Sequence, residues 1–275
     1  MTRTLSDASA ATQFVAGGTD VLVESRQPYF SKPQTLIDLS RVDELKSISE
    51  TNGLIRIGAM ATHSEIIAQP LIQRQAPLLA QACAEIGSQQ IRNRGTLGGN
   101  ICNASPCADT VPPLLALDAQ VEVLNEQGLR RVAMQEFFVK PYQTVLQKNE
   151  VLTAVYFPPL PDGYGSAFYK LGRRKALAIS RINMAAVLKT NHHGIIEEVR
   201  LAPGSVFPVW KRVAAAERFL TGKKITDQNF MQAGQITAQE MIKISGRRWS
   251  TPYKEPVVAA LVKRVLLMAA GLEEQ

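Results

Sequence analysis

The sequence predicts a protein of mixed α and β structure in two domains. Short apolar runs ending in turn residues alternate with helical periodicity from the start, which leaves α/β and α+β arrangements open. A Pro-rich break, Pro158-Pro159-Leu160-Pro161-Asp162-Gly163, divides the chain, and three longer helical patterns are gathered behind it. With 275 residues, 45% of them apolar, the chain can bury a sizeable core without disulfides or metals, and its composition is not that of a disordered protein. No apolar run approaches the roughly 20 residues that a bilayer span requires. The start, Met1-Thr2-Arg3-Thr4, leads into no apolar core and is not a secretory signal.

Each element has its own signal. Gln13 to Ala16 is a brief β run ending in Gly17-Gly18-Thr19-Asp20, and the run Val21 to Glu24 follows at once. Thr35 to Leu39 is a second strand. Leu45–Ile48 and Leu54–Ile57 flank Thr51-Asn52-Gly53 as a hairpin. Ala76–Ile86 is a helix with Pro77 in its first turn, an apolar face of Leu78, Leu79, Ala82, Cys83 and Ile86, and Gly87 as its stop. Arg92 to Asp109, rich in Gly, Asn and Ser, reads as a long ordered loop. Val111–Leu117 is a helix or apolar segment, and Val121–Leu124 pairs with Arg131-Val132 about Gln127-Gly128. Beyond the break, strands are expected at Ala167–Leu171, Ile182–Leu188 and Ile195–Leu201, the last two closed by His192-His193-Gly194. Helices are expected at Trp210–Leu220, Gln228–Ile242 and Pro256–Ala270, the last with Val258, Leu261, Val262, Val265 and Met268 opposite Lys263 and Arg264.

Composition excludes several functions. The net charge of +7 comes from basic residues spread along the chain, densest at Arg92-Asn93-Arg94, Arg173-Arg174-Lys175 and Arg247-Arg248. None of these is interleaved with stacking aromatics, and no nucleic-acid motif accompanies them, so a nucleic-acid partner is not expected. Cys83, Cys102 and Cys107 are too few for a disulfide framework or a four-cysteine metal site, and read as reduced structural thiols in a cytoplasmic setting. His63 stands alone and the other two histidines form a turn, so no metal site is expected.

Two glycine-rich segments carry the chemistry. In Val15-Ala16-Gly17-Gly18-Thr19-Asp20, paired glycines let main-chain N–H groups approach an anion without an intervening Cβ, and Thr19 adds a hydroxyl. The segment is neither a Walker A loop nor G-x-G-x-x-G. The second, Gly95 to Asp109, holds Gly98-Gly99, Asn100, Asn103 and one carboxylate. Two such turns about eighty residues apart could clasp a diphosphate from both sides, with Asp109 left to accept from ribose or ribityl hydroxyls. Structurally, Asn100, Asn103 and Asp109 would equally serve as turn caps.

The order Ala16-Gly17-Gly18-Thr19-Asp20, then Ile91-Arg92-Asn93, Thr96-Leu97-Gly98-Gly99-Asn100-Ile101-Cys102-Asn103-Ala104-Ser105-Pro106 and Asp109, resembles the FAD-binding medium subunit of the molybdenum hydroxylases, the xanthine dehydrogenase and carbon monoxide dehydrogenase family. The likeness continues through Phe137-Phe138, Glu150-Val151-Leu152 and Phe168-Tyr169-Lys170. It ends in Arg247–Val258 with Ser250-Thr251-Pro252-Tyr253-Lys254, and so covers nearly the whole chain. In one respect the sequence departs from the pattern: the strand–helix unit before Ala16 reads as shortened.

The resemblance implies an α+β architecture. Residues 1–160 would form an FAD-binding PCMH-type domain of the vanillyl-alcohol oxidase and MurB fold, in subdomains of about 1–52 and 53–160. Residues 165–275 would form a C-terminal α+β domain, a small antiparallel sheet with helices. By the same resemblance FAD is held non-covalently. Phe14, Val15, Ala16, Gly17, Gly18, Thr19, Asp20 and Val21 wrap its pyrophosphate, and Thr96, Leu97, Gly98, Gly99 and Asn100 meet it from the second subdomain. Asn103 and Asp109 contact the ribityl or ring region, Leu152 and Ile86 line the isoalloxazine cleft, and Lys170 approaches from the C-terminal domain. Partners would be a small subunit with 2Fe–2S clusters and a large molybdopterin subunit, as a dimer of heterotrimers. NAD, oxygen or a quinone would be the final acceptor. Arg92, Arg173 and Arg174 could assist the nucleotide, face the iron–sulfur subunit or lie on solvated surface. Two rivals are a stand-alone flavin oxidase of the same fold and a scaffold that has lost FAD. The organic substrate, chosen by another chain, is not written in this one.

Overall fold

The computed structural model describes residues 12–272. The region before Thr12, including most of the unit expected to be shortened, lies outside them. Strand β1 (Thr12–Val15) pairs in parallel with β2 (Thr35–Asp38), and the run between them is a single helical turn, α1 (Val21–Glu24). A small core of Leu39, Leu45, Met60 and Val151, joined by Phe14, Ala16 and Ile37, fastens this unit to the rest.

A five-stranded antiparallel sheet in the order β3-β4-β9-β5-β6 follows. Its strands are β3 (Ile48–Thr51), β4 (Leu54–Gly58), β5 (Gln120–Asn125), β6 (Gly128–Ala133) and β9 (Val151–Phe157). A two-stranded ribbon of β7 (Phe138–Lys140) and β8 (Gln143–Thr144) precedes β9. The β3–β4 turn has Asn52 and Gly53 both at positive φ, as a tight hairpin requires. Leu45, expected in the first strand, instead closes a 3-10 turn (Asp43–Leu45), where it fills the small core. The expected division near residue 52 falls inside this hairpin.

Between β4 and β5 the chain winds through short helices: α2 (His63–Ala68), α3 (Pro70–Gln75), α4 (Pro77–Ala84), α5 (Gln89–Arg92), α6 (Leu97–Asn103) and α7 (Val111–Ala116). Helix α6 corrects the expected long loop. Thr96 caps it by accepting from the Gly99 N–H, and fully buried Leu97 and Ile101 anchor one face, so tertiary contacts outweigh the poor helical propensity of Gly98-Gly99. One further turn, α8 (Met134–Phe137), delivers Phe137 and Phe138 to the core.

The C-terminal sheet is β10 (Tyr164–Leu171), β11 (Ile182–Thr190) and β12 (Ile196–Gly204), antiparallel and in that order. It is buried on both faces, which is why Ile182–Leu188 reads as a nearly continuous apolar run. Ile182, Met184, Ala186 and Leu188 pack under helices α9 (Ala214–Leu220), α10 (Asp227–Ser245) and α11 (Thr251–Ala269). Ala185 and Val187 instead join Phe168, Ala202 and Trp210 in the core of the amino-terminal half. The Phe138 and Trp210 rings meet there at 4.5 Å. Two helix starts differ from expectation. Trp210 is spent on that core, so α9 begins at Ala214. Helix α11 begins at Thr251, whose hydroxyl accepts from the Arg248 N–H, and carries Pro256 inside it.

His63 belongs to the scaffold of the glycine segments. It is 2% exposed at the start of α2, after a capping box of Thr62 and Glu65, and its N–H donates to the Gly95 carbonyl at 3.1 Å. Its Nδ1 is buried without a partner. Burial first, then the Arg92 guanidinium, holds the imidazole at about 4. The unfolded chain therefore takes up a proton that the native state refuses. This contribution is intact above about pH 6.5, is lost as pH falls toward 4, and is constant below that. Urea unfolding should show the protein losing about 2–3 kcal/mol more between pH 7.5 and 4.5 than His63→Phe does; parallel pH profiles would refute the assignment.

Candidate functional site

Strand β1 delivers the first diglycine turn to the edge of the second glycine segment. Gly17 lies so close to Arg94 and Gly95 that a Cβ would stand 2.0 Å from the Arg94 carbonyl oxygen. A Cβ on Gly99 would be 3.7 Å from that of Ala16. Gly18, at φ +75, turns the chain beside this contact. The structure thus brings together the two segments that sequence reasoning singled out.

They do not contribute alike. Among the described residues, nothing accepts from the N–H groups of Gly17, Gly18, Thr19, Asp20 or Val21. Gly17, Gly18, Thr19 and Val21 are half-buried, where donors normally find acceptors, and Asp20 is exposed, so this row of five has the chemistry of a diphosphate cradle. In the second segment the donors are spent internally: Leu97 on Ala61, Gly98 on Ala59, Gly99 on the Thr96 hydroxyl, and Asn100 on Thr96. Its contribution is close approach and side chains. Asn100 faces Thr110, accepting from its hydroxyl at 2.7 Å, and Asn103 closes α6 half-buried. Leu97 and Leu152 lie in the core at 0% and 3% exposure, and Gly98 packs on Ala59. Ile86 is half-buried and offers its carbonyl to Arg92. Arg92 also holds Gly87 and Gln89, a structural use, while Arg173 and Arg174 are exposed.

Asp109 and Lys170 meet across the domain boundary. Lys170 Nζ donates to Asp109 Oδ2 at 2.7 Å and to the Glu85 carbonyl at 2.8 Å, with the two ionic side chains only 5% and 7% exposed. Asp109 Oδ1 accepts from Ser180 Oγ at 2.5 Å and from Asn183 Nδ2 at 2.6 Å. Burial, with Asp109 nearby, pushes the Cys83 thiol up, so it stays protonated. Sequence reasoning missed Ser180 and Asn183. The available signal for Asn183 was one amide inside an otherwise apolar strand.

Other matched motifs serve the frame. Glu150 is drawn below the usual carboxylate range, chiefly by Arg130, which it meets at 2.7 Å. Lys254 donates to the Ser205 carbonyl, and the Ser205 hydroxyl in turn bonds the carbonyls of Pro106 and Ser180. The late C-terminal motif thereby braces the loop that ends beside Asp109.

A family profile described as the FAD binding domain in molybdopterin dehydrogenase matches residues 1–160, and one described as the CO dehydrogenase flavoprotein C-terminal domain matches residues 167–269. The chain belongs to the FAD-binding medium subunits of the molybdenum hydroxylases. It is 32% identical to the xanthine dehydrogenase FAD-binding subunit of Escherichia coli O157:H7, over 94% of this chain and 89% of that one. It is also 32% identical to the nicotine 6-hydroxylase medium subunit of Paenarthrobacter nicotinovorans, over 94% and 90%. The solved carbon monoxide dehydrogenase of Hydrogenophaga pseudoflava superposes with a TM-score of 0.88 at 31% identity, covering 99% of this chain and 94% of that one. This medium subunit is accordingly an oxidoreductase flavoprotein subunit with FAD as its cofactor. Among its described residues, no helix is long and apolar enough to cross a membrane.

A buried ion pair is stable only while both charges are compensated. Lys170→Met should therefore destabilise the medium subunit by about 3–5 kcal/mol, and adding Asp109→Asn should recover much of the loss. Urea titration checks this; a double variant as unstable as the single would show that the charges are not coupled.

Proposed function

We propose that this medium subunit holds FAD non-covalently against the paired glycine segments and serves as the electron outlet of a three-part molybdenum hydroxylase. The observation that carries the reading is the row of unengaged N–H groups from Gly17 to Val21, fixed by backbone contact with Arg94 and Gly95. Such donors suit a pyrophosphate, and Thr19 adds a hydroxyl donor. Phe14 and Ala16 anchor the cradle to the small core, and Val15 pairs with Asp38 of β2. Gly99, Asn100, Asn103 and Ile86 offer the facing surface, with Thr96, Leu97, Gly98 and Leu152 shaping it from inside. The Asp109–Lys170 pair stands at the ribityl or ring end.

Bound FAD supplies two-electron carriage between one-electron and two-electron partners. The protein's own part is to fix the phosphates, exclude water from the apolar side of the cleft, and place a cation near the ring. With three cysteines, this chain does not supply the ligand sets of iron–sulfur clusters, so electrons would come from a 2Fe–2S small subunit fed by a molybdopterin large subunit. The medium-subunit names of its relatives support such an assembly, here a dimer of heterotrimers in the cytoplasm. NAD is the proposed acceptor, with oxygen or a quinone as the alternatives.

Gly17→Ala tests the cradle. A Cβ 2.0 Å from a carbonyl oxygen forces the turn off Gly95, a cost of about 1–3 kcal/mol or roughly tenfold to a hundredfold in FAD affinity. The purified variant should be folded by circular dichroism yet nearly colourless, and fluorescence titration should show weak FAD binding. Wild-type affinity in that variant would overturn the placement.

A further inference from the structure

We propose that Asn183 and Ser180 are positioning residues for the flavin: they hold Asp109 as a fixed anion turned onto Lys170, and so set the charge the cofactor meets at the domain boundary. The inference rests on the FAD reading above and extends it to two residues beyond the glycine segments.

The sheet places them. Lys170 on β10 and Asn183 on β11 are direct cross-strand partners, and both belong to the face of the C-terminal sheet turned toward the amino-terminal half. Asn183 is 0% exposed and gives its amide protons to Asp109 and, at 3.5 Å, to the Ala108 carbonyl, while its own Oδ1 has no partner. An amide kept in an apolar strand with one end unsatisfied costs desolvation. The return is its bond to Asp109, since Ile182, Met184 and the other strand residues show that apolar side chains fill this sheet.

Valence arithmetic then defines what is left for a ligand. A carboxylate offers about four acceptor sites. Three are filled, two on Oδ1 by Ser180 and Asn183 and one on Oδ2 by Lys170. An ammonium has three donors, of which Lys170 commits two, to Asp109 and to the Glu85 carbonyl. The pair keeps one donor on the cation and one acceptor on the anion. Reduction adds negative charge to the ring, so a cation held near it would favour the reduced form, and an unscreened carboxylate would oppose it. Ser180 and Asn183 screen the carboxylate by hydrogen bonding and fix its direction. Without them the Asp109 charge is less screened and the flavin is harder to reduce.

The test uses the full chain loaded with FAD, with flavin content read first by absorbance. Asn183→Ala and Ser180→Ala should each lower the reduced-to-oxidised flavin ratio, at fixed ambient potential, by about threefold to tenfold, or about 15–30 mV for a two-electron couple. Lys170→Met should move it in the same direction. Thr237→Val, which removes a buried hydroxyl bonded to the Ala233 carbonyl within α10, should lower the melting temperature without moving the ratio. If Asn183→Ala does not fold, Ser180→Ala decides alone. Unchanged potentials in a stably flavinated variant would reduce these residues to structural roles and overturn the proposal, as would an equal shift in Thr237→Val. Wild-type chain that takes up no FAD would instead bring down the cofactor reading beneath it, a separate and visible failure.

Discussion

A buried carboxylate is tolerated only where the chain surrounds it with donors, and in this subunit those donors come from across the domain boundary. Asp109 closes the segment that begins at Gly95, while Lys170, Ser180 and Asn183 all belong to the C-terminal sheet or the loop between its first two strands. The same sheet buries Phe168, Ala185 and Val187 against helices of the amino-terminal half. Apolar burial supplies the non-directional attraction, and the polar junction supplies the register. A helix–sheet contact made of Leu and Ala alone would accept neighbouring alignments, but three hydrogen-bonding groups around one carboxylate accept a single one.

Upstream, a comparable constraint works through absence of side chains. Gly17 against Arg94 and Gly95, and Gly98 against Ala59, are backbone contacts that leave no room for Cβ atoms. The first diglycine turn is exposed enough to keep its donors available. The second is folded into a capped helix and acts as the surface on which the first is seated. Two similar dipeptides therefore perform different work, one presenting N–H groups and the other giving up its own to the frame.

Much of the fold was legible because local signals agreed with tertiary placement. Asn52-Gly53 and His192-His193-Gly194 mark their hairpins unambiguously, and Leu78, Leu79, Ala82 and Cys83 bury the face that their spacing predicts. Helix α6 escaped notice because Gly98-Gly99-Asn100 have low helical propensity. The Thr96 cap and the Leu97–Ile101 pair, four residues apart, were the countersignal. The groups that the structure gathers, the two glycine segments and the Asp109–Lys170 pair, were legible as candidates. The partners of Asp109 were not, since Asn183 meets it only through strand register in the C-terminal sheet and Ser180 only through the loop leading into β11, relations between residues more than seventy positions apart.

The apolar mass that both halves share, in which the tilted rings of Phe138 and Trp210 meet, has a bearing on how the site can open. Two bodies welded through common hydrophobic packing cannot swing apart like jaws. The thinner piece is the β1–β2 ribbon, held by a handful of apolar contacts and carrying the donor row at its tip. Any opening of the donor row is then a local unfastening of that ribbon rather than a motion between halves.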